Sequence, residues 1–296
     1  MRIKDFLSQP GTTFSFEFFP PKNEVGWKRL YQTIDELKPL NSPYVSITYG
    51  AGGSTQAPTH DLVVHIHEKT DWQAVSHLTT VGSNREQIQA FLQKYSDKGV
   101  CNILALRGDP PKGQESITQV ENGFPFAADL VAFIRERFPH FGIGAAGFPE
   151  GHPVTPNRLK EIEYLKAKVD AGVDYIVTQL FFDNRDYYDF CERCSLAGIN
   201  VPIVAGILPI TSLKGLERMA ELAYGSRIPA RLLKAAQRAQ DDAAVTSVGV
   251  HWAAEQVDDL VYHNVPGIHI YTLNQSHSTL EIFKALGVRD APHWAS

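Results

Sequence analysis

Cysteine is scarce in this chain of 296 residues, with only Cys101, Cys191 and Cys194. So small and odd a number excludes a disulfide framework and fits a reducing compartment. Cys191 and Cys194 make a C-x-x-C, but a thioredoxin-like site opens a helix after a strand, whereas RDYYDFCERCSLAG reads as mid-helix, so the pair reads as two semi-buried thiols one turn apart. Also missing is a run of Lys and Arg long enough to track phosphates; with a formal net charge of −5, nucleic acid is not an expected partner. No apolar window approaches membrane-spanning length, and MRIKDFLSQPG lacks the apolar core of a signal peptide. A soluble cytoplasmic protein without membrane contact is expected. No linker or low-complexity tract divides the chain, which reads as one domain over residues 1–296.

What the chain does have is alternation. The β-rich runs TFSFEFF, YVSITYG, WQAVSHLTT, NILALRG, GIGAAGFP, YIVTQLFF, PIVAGILP and GIHIYTLN are separated by stretches with apolar residues three and four apart, such as SNREQIQAFLQKYSDKG and RLKEIEYLKAKVDAG. Eight strand-and-helix units predict an α/β fold, a closed (β/α)8 TIM barrel, with a doubly wound sheet as the alternative. The segment from Pro229 to Asn264 is extra helix between strands seven and eight.

In such barrels the active site is built at the C-terminal strand ends. That rule selects Glu17; Thr48 and Tyr49; His77; Arg107 and Asp109; Phe148, with His152 in the following loop; Gln179; and Tyr271 with Asn274. Glu17 lies in SFEFFPPK, where alternation puts Phe14, Phe16 and Phe18 on one side and Ser15, Glu17 and Phe19 on the other. A carboxyl in an aromatic surround has its charged form disfavoured and becomes an acid able to donate a proton near neutrality; the competing reading is a Glu bridged to an Arg. Arg107 and Asp109 share a face of LALRGDPP, as an ion pair or as ligand contacts, with Gly108 allowing close approach to the backbone.

Two motifs fail on context. GIGAAG at Gly142–Gly147 matches G-x-G-x-x-G, yet it lies inside a strand and runs into FPEGHP rather than into a phosphate-facing helix. It reads as small residues passing something bulky. His65 and His67 in VVHIHEKT resemble paired metal ligands, but such a pair must end a strand, and THDLVVHIHEKT is helical. No metal is expected.

SFEFFPP, VSITYGAGGST, HLTTVG, NILALRGDPPKG, GFPEGHP, KVDAGVDYIVTQLFFD, GILPI and HIYTLN, in this order and across nearly the whole chain, resemble the bacterial methylenetetrahydrofolate reductases. The resemblance implies a (β/α)8 barrel holding FAD without a dinucleotide-binding glycine motif. It implies that NADH or NADPH reduces the flavin, departs, and is followed by 5,10-methylenetetrahydrofolate, which leaves as 5-methyltetrahydrofolate. The bridge accepts hydride only after its ring opens to an iminium, so an acid must protonate N10; the resemblance gives that role to Glu17. It places Asp109 near the flavin pyrimidine and the cationic iminium, Gln179 on the pterin, and Tyr271 close to the substrate. Thr48, Tyr49, Ala51, His77, Arg107, Gly108, Asp109, Ala127, Phe148, His152, Glu161 and Lys168 fall on flavin-contacting positions, Arg107 and Lys168 offsetting the diphosphate charge. Phe148 stands where the motif usually has Tyr, Glu161 where an Asp is expected, and Tyr164 where a polar residue is common. Gly215 and Gln275 replace residues that can contact nicotinamide or folate. Relatives' habits add an expected homo-oligomer. Two readings of other classes stay open: a flavin- or folate-binding subunit without reductase activity, and a metal-dependent barrel hydrolase.

Overall fold

A computed structural model describes residues 1–49, 56–108, 120–152, 155, 157–222 and 226–291. The strands are β1 (Thr13–Phe18), β2 (Tyr44–Ile47), β3 (Gln73–Thr79), β4 (Asn102–Leu106), β5 (Gly142–Gly147), β6 (Tyr175–Thr178), β7 (Ile203–Ile207) and β8 (Gly267–Tyr271). They pair in chain order and β8 closes on β1, all parallel, so the barrel replaces the doubly wound alternative. Outer helices follow: α2 (Glu24–Leu37), α3 (Gln56–Lys69), α4 (Arg85–Asp97), α5 (Ala127–Arg137), α6 (Arg158–Asp170), α7 (Asn184–Leu196), α8 (Leu213–Leu222), α9 (Ala230–Arg238), α10 (Asp242–Tyr262) and α11 (His277–Ala285), preceded by a short α1 (Ile3–Leu7). Among the described residues no helix is long and apolar enough to cross a membrane.

Strand alternation sorts the side chains. Phe14, Phe16 and Phe18 are fully buried between β1 and the helices, Phe14 against Phe283 and the other two against Trp72. Each contributes about 2–3 kcal/mol of apolar burial. The opposite faces fill the lumen in layers. Its lower layers are apolar, where Ile3 and Leu7 of α1 plug the barrel floor against Tyr44, Val75, Leu104, Tyr175, Val177 and Val204. Gly144 belongs here because a Cβ would lie 2.6 Å from the Tyr175 ring and 2.8 Å from Leu104. GIGAAG is thus strand β5 passing bulky neighbours, as its context implied.

The extra helices are α9 and α10, falling where the sequence places them. They cover the exit of β6: Leu232 and Val245 pack with Leu180, Phe182, Leu208 and Ile210. Trp252 Nε1 donates to the Phe182 carbonyl and Gln256 Nε2 to that of Phe181. These bonds fix the chain just beyond Gln179. The Cys191–Cys194 pair is mid-helix in α7, and His65 and His67 lie on α3.

Candidate active site

Glu17 is the third lumen-facing residue of β1, in register with Ser46 on β2 and Tyr271 on β8, and its side chain is 20% exposed. Its surroundings differ from the expected aromatic cage. The phenylalanines beside it in sequence all point to the helices, and its neighbours come from β3 and β8 instead. His77 Nε2 lies 3.6 Å and His269 Nε2 3.7 Å from the same carboxyl oxygen, Oε2. Both distances exceed a hydrogen bond. His77 is buried and, among the described residues, its Nε2 has no hydrogen-bond partner. Burial pushes its pKa down to about 4 despite the attraction of Glu17, so His77 is neutral near pH 7.

Tyr271 completes this group. Its hydroxyl donates to the Thr178 carbonyl at 2.6 Å, and burial, reinforced by the Glu17 charge, raises its pKa well above the ordinary phenol value. The ring fits because Gly206 faces it; a Cβ there would lie 2.8 Å from Cε2 and 2.4 Å from the Thr178 oxygen. Just past β8, Thr272 donates its hydroxyl to the Glu17 carbonyl at 2.6 Å. The Asn274 amide brackets Phe19, accepting from its N–H at 3.0 Å and donating to its carbonyl at 2.8 Å. These bonds hold the chain between Glu17 and the two prolines.

A second group gathers on the β5 and α6 side. Phe148 and His152 meet edge to face with ring centres 4.6 Å apart, and the His152 N–H donates to Glu161 Oε1 at 3.0 Å. Among the described residues Glu161 Oε2 is buried without a hydrogen-bond partner, and burial raises the carboxyl's pKa against the pull of Arg158. Lys168 Nζ donates to the Ala146 carbonyl at 2.8 Å, and burial brings its pKa down to about 8 although Glu161 counters the shift. Gln179 borders a small pocket with Phe148, Glu150, Gly151, Leu180 and Ser226, its Oε1 accepting the Leu180 N–H at 2.9 Å.

The remaining predicted residues lie along the rim. Thr48 and Tyr49 follow β2 and are half-buried; Arg107 is exposed beyond β4, and Gly108 has φ of +86°, a conformation that favours glycine. A Cβ on Gly108 would lie 3.0 Å from Thr79 Cβ. Ala127 is buried in the first turn of α5. Asp109 and Ala51 lie outside the described residues. Among the described residues there is no group of three or more His, Cys, Asp or Glu side chains able to hold a metal. His269, Ser46 and Thr272 join this group although the strand-end rule does not select them. Alternation in GIHIYTLN was the available signal for His269, since it puts that residue on the lumen side with Tyr271.

A barrel with this group at the C-terminal ends of β1, β3 and β8 can be set beside known proteins. The family model described as methylenetetrahydrofolate reductase matches residues 2–287. The chain belongs to this family. Methylenetetrahydrofolate reductase (NADH) 1 of Arabidopsis thaliana is 41% identical over 98% of this chain and 50% of its own length. The chain thus spans about half the length of the plant relatives it matches. It is also 36% identical to the 5,10-methylenetetrahydrofolate reductase of Escherichia coli, over 93% of this chain and 90% of that one. Among solved structures, a Clostridium thermocellum protein described as binding two copies of 5-methyl-5,6,7,8-tetrahydrofolic acid superposes with a TM-score of 0.64 over 94% of this chain and 95% of that one, at 16% identity. That likeness supports the barrel fold alone; the assignment to the methylenetetrahydrofolate reductase family rests on the sequence matches.

Proposed function

We propose that this protein reduces 5,10-methylenetetrahydrofolate to 5-methyltetrahydrofolate, with FAD as bound cofactor and a reduced nicotinamide dinucleotide as donor. Family membership supports the reaction, and the observation that carries the residue assignment is Glu17 in the lumen with one carboxyl oxygen facing two imidazoles. Opening the substrate's five-membered ring needs a proton on the departing amine nitrogen. Glu17 would supply it; its position in the upper layer of the lumen, above an apolar floor, supports that reading. Tyr271, its hydroxyl committed to the Thr178 carbonyl, offers a ring wall rather than a second acid. Among the described residues only the oxygen of Gln179 is occupied, so its amide nitrogen is available to orient a pterin. Asp109 would place negative charge near the cation that forms on ring opening.

The β5 and α6 side suits a flavin dinucleotide. Lys168 brings an enclosed ammonium with hydrogens to spare, Arg107 a rim guanidinium, and Thr79 a buried hydroxyl without a partner among the described residues. Thr48, Tyr49, Ala51, His77, Gly108, Ala127, Phe148, His152 and Glu161 would line the rest. When bound, a flavin supplies hydride chemistry that no side chain offers. The plant relatives carry NADH in their names, so NADH is the first donor to test. Purified protein should be yellow, lose its colour with NADH in the absence of oxygen, and regain it on adding methylenetetrahydrofolate. A protein that takes up no FAD, or whose colour folate does not restore, would end this reading.

A further inference from the structure

We propose that Glu150 is a further folate-binding residue whose second carboxylate oxygen accepts the 2-amino group of the pterin, an inference that rests on the reading of Gln179 as the pterin-orienting amide. Glu150 lies three residues past the end of β5, and its side chain is only 6% exposed. Its two oxygens differ. Oε1 accepts the Arg227 backbone N–H at 2.7 Å and the Arg227 Nε–H at 3.1 Å. Oε2 is buried and, among the described residues, has no hydrogen-bond partner. A buried carboxylate oxygen left unsatisfied costs stability, so its retention calls for an explanation.

The surroundings of the carboxyl supply one. Glu150 lines a small pocket together with Gln179, Leu180 and Ser226. The Gln179 N–H donates to the Gly147 carbonyl at 2.8 Å, which ties the exit of β6 to that of β5. The Gln179 side-chain oxygen takes the Leu180 N–H, so its amide nitrogen is the donor left for a ligand. Ser226 Oγ donates to the Leu180 carbonyl at 3.0 Å. Arg227, the next residue, spans from Glu150 to Asp186 at the start of α7. Both walls of the pocket are thus clasped by the same two-residue segment before any ligand arrives, so little ordering remains to be done on binding.

A donor amide and an acceptor carboxylate on one pocket match the edge of a pterin, whose 4-oxo group accepts and whose 2-amino group donates. The pocket is small, so it receives that edge and not the whole ring. Burial raises the Glu150 pKa, while the Arg227 donors counter it and favour the charged, better-accepting form. The other unsatisfied carboxyl oxygen, Glu161 Oε2, already has the Arg158 guanidinium 3.9 Å away. Glu150 Oε2 is the one that shares a pocket with Gln179.

The test uses the flavin-loaded full chain carrying Glu150→Gln, whose amide oxygen can still accept from Arg227 while an NH2 group replaces Oε2. With the flavin left oxidised, so that nothing turns over, calorimetry measures binding of methylenetetrahydrofolate and of its analogue lacking the 2-amino group. Wild type should bind the analogue about 10- to 100-fold more weakly than the substrate, and Glu150→Gln should bind the two alike. A lesion that merely loosened the loop would weaken both ligands by one factor and keep the gap between them. That result overturns the proposal, as does a wild type that binds the two alike. Should Glu150→Gln fail to fold, Glu150→Asp decides, because it keeps the charge and draws the carboxyl back by one methylene: a narrowed gap supports the contact and an unchanged gap sinks it. Gln179→Ala separates the two readings. If it leaves folate binding unchanged, the reading of Gln179 falls; if it weakens folate binding while Glu150→Gln keeps the gap, that reading stands and the Glu150 contact falls.

Discussion

The floor and the mouth of this barrel are built from the same eight strands, often from residues two apart, and they are chemically opposite. On β1 Ser15 lies one layer below Glu17; on β2 Tyr44 is in the apolar plug and Ser46 touches His269; on β3 Val75 belongs to the floor and His77 to the acid. Below, the Asp174 carboxylate has its partners: it takes Arg135 at 2.8 Å, Lys4 at 3.0 Å and the Ile143 N–H at 2.9 Å. Above, the His77 Nε2 has no partner and Glu17 holds its imidazoles beyond bonding distance. Satisfied polar groups stabilise, and unsatisfied ones are available for chemistry. Mutations at the floor should therefore change stability without changing chemistry, and those at the mouth the reverse.

The largest effect expected is at the mouth. Glu17→Gln should leave flavin reduction by NADH intact and slow folate reduction by about 10²- to 10⁴-fold, with the melting temperature little changed, as stopped-flow half-reactions and calorimetry will show. Next comes Leu7→Ala in the plug, which should cost about 3 kcal/mol in denaturant unfolding while the folded fraction keeps its turnover. Asp174→Ala should cost about 2 kcal/mol, because Arg135, Lys4 and a strand N–H lose their acceptor. The same carboxylate gives a pH dependence. Burial works to raise its pKa, but the Ile143 N–H, Arg135 and Lys4 outweigh that and hold it below its ordinary value. Its contribution is present above the unfolded pKa of about 3.9 and is lost as pH falls through the lower folded value. Acid unfolding of wild type and Asp174→Asn should thus converge at the acid end. The smallest effect is Tyr271→Phe, which keeps the ring wall and loses the bond to the Thr178 carbonyl: about 1 kcal/mol in denaturant unfolding, with folate turnover little changed, the one mouth substitution expected to behave like a floor one.

The barrel was legible because strand and helix periods alternate cleanly, and the lumen position of Glu17 follows from a two-residue repeat. What surrounds Glu17 was not legible. Its sequence neighbours are phenylalanines, but a strand turns adjacent residues away from one another, so its real neighbours, His77 and His269, come from strands far along the chain. The α1 plug escaped notice because IKDFL is too short to show a helical period. Glu161 and Lys168 came from resemblance alone; periodicity places them on a helix without saying that the helix end meets β5.

Ser15 and His269 are 254 residues apart and meet at the seam where the last strand closes on the first. The residues around the Glu17 carboxyl are thus split across the final joint of the cylinder. During synthesis a ribosome-bound chain that has emerged only through β7 carries Glu17 on an open sheet edge, without His269, Tyr271 or the Thr272 tether, so competence arrives in a single late event and no partly built barrel can begin turnover.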